Sequence, residues 1–82
     1  MSNKTSAAGW VIEVRRSDTD SKQVPPQYTY YNVAFANADK ATETAVAAAR
    51  KAGFVGTGHH VRSLSDGEIE VLQFKPGDVR LA

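Results

Sequence analysis

The sequence predicts an α+β fold with two layers, a four-stranded, mainly antiparallel sheet and one alanine-rich helix on one face of it. Three observations lead to this prediction. One segment combines several helix signals, short segments with alternating apolar and polar residues lie on both sides of it, and polar turns separate those segments. The predicted order along the chain is β-β-α-β-β.

The helix is predicted over Asp39 to Ala52. Asn37 or Asp39 can cap its start, and Gly53 supplies the residue that ends it. Advancing each residue by 100° gathers the alanines on one side of the helix. These are Ala38, Ala41, Ala45, Ala48, Ala49 and Ala52. Because alanine offers little apolar area, the bulky core residues must come from the sheet.

The first two strands are predicted at Trp10 to Arg16 and Tyr28 to Ala36, where β-branched and aromatic residues are common and apolar residues alternate with others. Alternate residues of a strand point to opposite faces of the sheet. The residues expected to face the helix are Trp10, Ile12, Val14, Tyr31, Val33 and Phe35.

After the helix, His59 to Leu64 and Glu68 to Phe74 are predicted to form a hairpin around the turn Ser65-Asp66-Gly67. This register pairs Arg62 with Glu70 across the two strands. It directs Val61, Ser63, Ile69 and Val71 to the helix side.

A two-residue turn is the alternative for this hairpin, and it would pair Leu64 with Ile69. Beyond the hairpin, Lys75 to Asp78 read as a turn, and Val79 to Leu81 are expected to add a short edge strand. This layout resembles that of small bacterial domains, and the resemblance implies no activity.

The domain is expected to span residues 9–82, after a disordered N-terminal tail of residues 1–8. Ser17 to Gln27 should form a long surface connection between the first two strands. Its acidic residues lack the glycine and the glutamate that a calcium loop requires. The segment Pro25 to Tyr28 matches the PPxY pattern read by WW domains, although Tyr28 is expected to open the second strand.

The sheet face away from the helix is predicted to be too apolar to remain in contact with solvent. We expect it to be an interaction site that binds another protein or, most simply, a second copy in a homodimer. The alternative is that the C-terminal segment or a different strand order covers it within one chain. The candidate residues of this face are Val11, Arg15, Tyr28, Tyr30, Arg62, Leu64, Leu72 and Phe74.

A second hypothesis is that the same face binds single-stranded nucleic acid, because exposed tyrosines can stack on bases and arginines can reach phosphates. Two observations argue against it. The formal net charge is only +1, and Glu13 and Glu70 would repel the phosphate backbone from this face.

Other functions are not indicated by the sequence. The chain has no Cys, so thiol chemistry and thiolate metal sites are excluded. His59 and His60 are adjacent, and adjacent strand residues point apart, so we expect no metal site and no cofactor. No nucleophile lies in a recognised catalytic motif, which predicts a non-enzymatic protein. With no signal-peptide core and no membrane-spanning run, we expect a cytoplasmic protein without membrane contact.

Overall fold

The computed structural model describes residues 7–16 and 27–82, which form one four-stranded sheet and two helices. Along the chain the elements are β1 (Gly9–Arg16), β2 (Tyr28–Val33), α1 (Ala38–Lys51), β3 (Gly56–Leu64), α2 (Asp66–Val71) and β4 (Val79–Leu81). The strand order in the sheet is β3-β1-β2-β4, and all neighbours are antiparallel. The predicted α+β class and the four-stranded antiparallel sheet are therefore confirmed.

Strand β1 lies in the middle of the sheet and sets the register of its two neighbours. It pairs with β2 without interruption, so that Ile12 lies opposite Tyr31. Its pairing with β3 contains a β-bulge, because Val11 lies opposite Arg62 while Ile12 lies opposite His60. Val61 is therefore the extra residue, and the bulge reverses the alternation of β3 at this point.

The core lies between the sheet and α1. Its fully buried members on the helix are Ala41, Ala45 and Ala49. These alanines pack against the sheet residues predicted for this role, and the buried ones are Ile12, Val14, Tyr31 and Val33. Trp10 and Phe35 are partly buried against the same cluster. The predicted helix is therefore confirmed. Of the six alanines predicted for its buried face, Ala41, Ala45 and Ala49 are buried, Ala38 and Ala48 are partly buried, and Ala52 is exposed.

Helix α1 begins and ends as the local sequence indicates. Asn37 is the N-cap, and its Oδ1 accepts a hydrogen bond from the backbone N–H of Lys40 at 2.9 Å. Gly53 follows the helix with a φ of 88°, a left-handed conformation that glycine adopts without strain.

The predicted hairpin is wrong, because the second half of it folds as α2 rather than as a strand. Ser65 and Glu68 form a capping box that starts this helix. The Ser65 Oγ accepts from the Glu68 N–H at 3.2 Å, and the Glu68 Oε1 accepts from the Ser65 N–H at 2.9 Å. Three apolar residues assigned to the helix side of the sheet are outside the core. Val71 is 82% exposed, Ile69 lies near Gly9 on the other side of the sheet, and Val61, the bulged residue of β3, is 54% exposed.

The predicted edge strand is confirmed as β4, which pairs with β2 from Val79 opposite Val33 to Leu81 opposite Tyr31. The predicted surface connection, with its acidic residues and most of its PPxY segment, and most of the predicted tail lie outside the described residues. At the start of the described part, the Ala8 N–H donates to the Leu64 carbonyl oxygen at 2.8 Å. Neither described helix has the length and apolar composition needed to cross a membrane.

Candidate interaction surface

The surface of interest is the sheet face opposite α1, which we call the far face. Residues directly opposite each other in the sheet share a face, so the register defines its members. They are Gly9, Val11, Glu13, Arg15, Tyr28, Tyr30, Asn32, Thr57, His59, Arg62, Leu64 and Arg80. Five of the residues predicted for the interaction site are therefore on this face and not buried, namely Val11, Arg15, Tyr28, Tyr30 and Arg62.

One end of the far face is covered by α2 and the segment after it. A Cβ added to Gly9 would lie 3.0 Å from Ile69 Cδ1, so the Ile69 side chain of α2 reaches this end of β1. Leu64 and Phe74 are buried here, and the guanidinium carbon of Arg80 lies 4.7 Å from the centre of the Phe74 ring. Two of the predicted candidate residues, Leu64 and Phe74, are thus packed within the chain and offer little surface to a partner.

The other end of the far face presents two tyrosines to solvent. Tyr28 is 43% exposed and Tyr30 is 42% exposed. The Tyr30 hydroxyl donates to Glu13 Oε2 at 2.9 Å, and the Arg15 guanidinium carbon lies 5.2 Å from the centre of the Tyr28 ring. The hydrogen bond to Glu13, which binds the neutral hydroxyl, is the main reason why the pKa of Tyr30 is raised above its ordinary value.

Between these two ends a cleft of ≈ 570 Å³ separates the sheet from α2. Its sheet wall is formed by Asn32, Arg62 and Leu64, and the side chains of Val71 and Leu72 line it from the α2 side. Arg62 and Glu68 line it from opposite sides and form an ion pair, with Arg62 Nη2 3.0 Å from Glu68 Oε2. The predicted candidate Leu72 is therefore exposed at the edge of this cleft rather than on a strand of the far face.

The ion pair between Arg62 and Glu68 shifts the pKa of Glu68. The hydrogen bond from Arg62, followed by the one from the Ser65 backbone, lowers the pKa of Glu68 below its ordinary value of 4.5. Because the folded-state pKa is the lower one, this carboxylate stabilises the fold above its ordinary pKa and loses that contribution as the pH falls through the folded-state pKa.

We expect the substitution Arg62→Gln to raise the pKa of Glu68 toward its ordinary value, since the largest cause of the shift is removed. The measurement is an NMR titration of the Glu68 side-chain carboxyl signal. Arg80→Gln is the matched control, because Arg80 pairs with Asp78 instead, at 3.6 Å. A Glu68 titration that is the same in wild type and Arg62→Gln would contradict the assignment of this pair.

The adjacent histidines are placed on different faces of the sheet. His59 lies opposite Glu13 on the far face, whereas His60 lies opposite Ile12 on the α1 side. There the His60 and Trp10 rings form a T-shaped contact, with their centres 5.1 Å apart and an angle of 71° between their planes. Within residues 7–16 and 27–82, no three His, Cys, Asp or Glu residues are grouped so that they could hold a metal ion.

Comparisons with protein families, with curated proteins and with solved structures find no match for this chain. Its function must therefore be argued from the surface itself. Helix α2 and the cleft beside it are not part of the sequence-based expectation. The sequence signal for α2 is the pair Ser65 and Glu68, which has the spacing of a capping box.

Proposed function

We propose that this protein is a small non-enzymatic interaction module that associates with a second copy of itself through the end of the far face that carries Tyr28 and Tyr30. The observation that carries the proposal is the exposure of Tyr28 and Tyr30 side by side on a sheet surface. Tyrosine combines a large apolar ring with a polar tip, and it is enriched where proteins meet. We place the module in the cytoplasm as part of the same proposal.

The charges around this face support association with a second copy of the chain. Arg15, Arg62 and Arg80 are accompanied by the acids Glu13, Glu68 and Asp78. A surface with both signs can meet its own copy without net repulsion, whereas a surface of one sign would repel it. Homodimers with two-fold symmetry are also the commonest assemblies of soluble proteins.

A second candidate function is binding of single-stranded nucleic acid, and the contact of Arg15 with the Tyr28 ring favours it. The remaining arginines of the face are less suited to phosphates. Arg62 is paired with Glu68, and Arg80 lies near Asp78. Glu13 also lies beside the Tyr30 hydroxyl, where it would repel a phosphate backbone. We therefore rank this function below self-association.

The first test is the molar mass in solution by light scattering over a concentration series. We expect the wild-type mass to rise from that of the monomer to that of the dimer. Tyr30→Ala should shift this transition to at least roughly tenfold higher concentration, because truncating a central interface tyrosine removes a large share of the binding energy. Glu43→Ala, on the exposed side of α1, is the control and should leave the transition unchanged.

A wild-type protein that stays monomeric at every concentration would overturn the proposal, and so would a Tyr30→Ala variant that dimerises normally. A fluorescent single-stranded oligonucleotide tests the second function in the same samples. Binding that weakens with salt and with Arg15→Gln would favour the nucleic-acid function instead.

A further inference from the structure

We infer that in this dimer the α2 helix of each copy packs on the Tyr28 and Tyr30 end of the partner's far face, around a two-fold axis. The inference rests on the proposed self-association and specifies its geometry. The occupant of each far face is then α2 of a second copy, and both copies contribute the same two surfaces. Three features of the described residues support this arrangement.

The first feature is the shape of the far face, since among the described elements α2 projects from one end of it and nothing projects from the other. Helix α2 lies on the end of β1 that begins at Gly9. The opposite end of β1 carries Arg15 between Tyr28 and Thr57, and no other described element covers it. A helix with its side chains is about 10 Å thick. In the dimer the two far faces meet around a two-fold axis that lies between them and runs across the strands near the middle of β1. This axis places the α2 end of each copy over the Arg15 end of the other.

The second feature is charge. Helix α2 carries three acids, Asp66, Glu68 and Glu70, and no base. The other end of the far face carries the exposed Arg15, whose guanidinium contacts the Tyr28 ring and forms no ion pair within the described part of the chain. Glu70 is likewise exposed and without an ion pair among these residues. The arrangement brings Glu70 toward the partner's Arg15, and symmetry forms this contact twice.

The third feature is the exposed apolar surface on α2. Val71 is its most exposed large apolar residue, and Leu72 next to it is also exposed. Both lie at the cleft that separates α2 from the sheet. In the dimer they would cover the partner's Tyr28 and Tyr30 rings, which are the other large apolar groups exposed on this side. Each copy thus supplies two apolar surfaces, Val71 and Leu72 at α2 and the Tyr28 and Tyr30 rings on the sheet.

The test is a charge reversal divided between two variants, Arg15→Glu and Glu70→Arg. Each variant alone places like charges in both contacts, so its dimer should dissociate at a concentration at least roughly tenfold higher than that of wild type, measured by light scattering. In an equimolar mixture, a dimer of one Arg15→Glu chain and one Glu70→Arg chain has opposite charges in both contacts. We expect this mixture to dimerise as tightly as wild type.

The outcomes separate the inference from the proposed function. If wild type does not dimerise, the proposed self-association fails. If wild type dimerises but the variants dimerise equally well, or if mixing them restores nothing, the α2 arrangement is wrong, and Tyr30→Ala alone then tests whether the far face self-associates. Both substituted side chains are exposed, and thermal unfolding of each variant confirms that a lost dimer does not reflect a lost fold.

Discussion

The variant Ile12→Ala is expected to lose about 3 to 4 kcal/mol of unfolding free energy, because it deletes three carbons of a fully buried side chain and leaves a cavity. Ile12 is 0% exposed and belongs to the cluster that α1 forms with the sheet. A domain of this length has a total unfolding free energy of roughly 4 to 12 kcal/mol. Urea denaturation followed by circular dichroism should therefore show a midpoint far below that of wild type.

Val61→Ala is the matched control, because Val61 is also an apolar β-branched residue of the sheet but occupies the bulge of β3 and is exposed. Substitutions at such sites change stability by about 0.5 kcal/mol or less. Equal losses in the two variants would contradict the position of the core between β1 and α1.

The denaturation midpoint of Ile12→Ala also serves as the reference for a destabilised fold when the surface variants are tested for function. Tyr30→Ala and Arg15→Glu change exposed side chains, so their denaturation midpoints should stay near that of wild type. A lost dimer in these variants then reports on the surface. In Ile12→Ala the dimer should be lost at the same lowered urea concentration at which the fold is lost, because the far face exists only while the sheet is packed.

The helix and the two central strands were predictable because each has a strong local signal. Alternation in β1 identified Ile12 and Val14 as core residues, and the 100° periodicity of α1 identified Ala45. The signals agree with the packing because these elements bury one face each. The part of the core that lies between α1 and the strands β1 and β2 could therefore be assigned from the sequence alone.

The segment after Leu64 shows why such alternation can mislead. Its residues Glu68, Ile69, Glu70 and Val71 alternate as a strand would, yet they form most of a short helix that is too brief to show helical periodicity. The capping box is what distinguishes the two conformations, because it satisfies the first free N–H groups of a helix. The bulge in β3 has no comparable local signal in the sequence, since it concerns the pairing with β1.

The candidate site was predictable to the same extent. The alternation of β1 and β2 placed Val11, Arg15, Tyr28 and Tyr30 together on one face, and the register brings them together. Leu64 was expected on this face as well, and its burial agrees with the alternative that a C-terminal segment covers part of the face within one chain. The sequence did not indicate how much of the face would be covered, because this depends on where α2 packs against the sheet. The position of α2 at the Gly9 end of the far face is a property of the tertiary structure alone.

The variant Ala45→Leu is expected to lose about 2 to 3 kcal/mol of unfolding free energy, because three added carbons have no space in a packed core. Ala45 is fully buried in the middle of α1. The helix also lies close to the sheet, since a Cβ added to Gly58 of β3 would come within 2.7 Å of the Val46 side chain and 2.8 Å of the Thr42 side chain. Such a distance is a steric clash, so the helix would have to move away from the sheet to admit a leucine.

Ala47→Leu makes the same chemical change on the exposed side of α1. Leucine and alanine have similar helix propensities, so its effect should remain within about 0.5 kcal/mol. Both variants are compared with wild type by urea denaturation. If Ala45→Leu is as stable as Ala47→Leu, the alanine face does not set the spacing between helix and sheet. If only Ala45→Leu is destabilised, alanine is required at that position by its size, since both leucines are equally compatible with a helix.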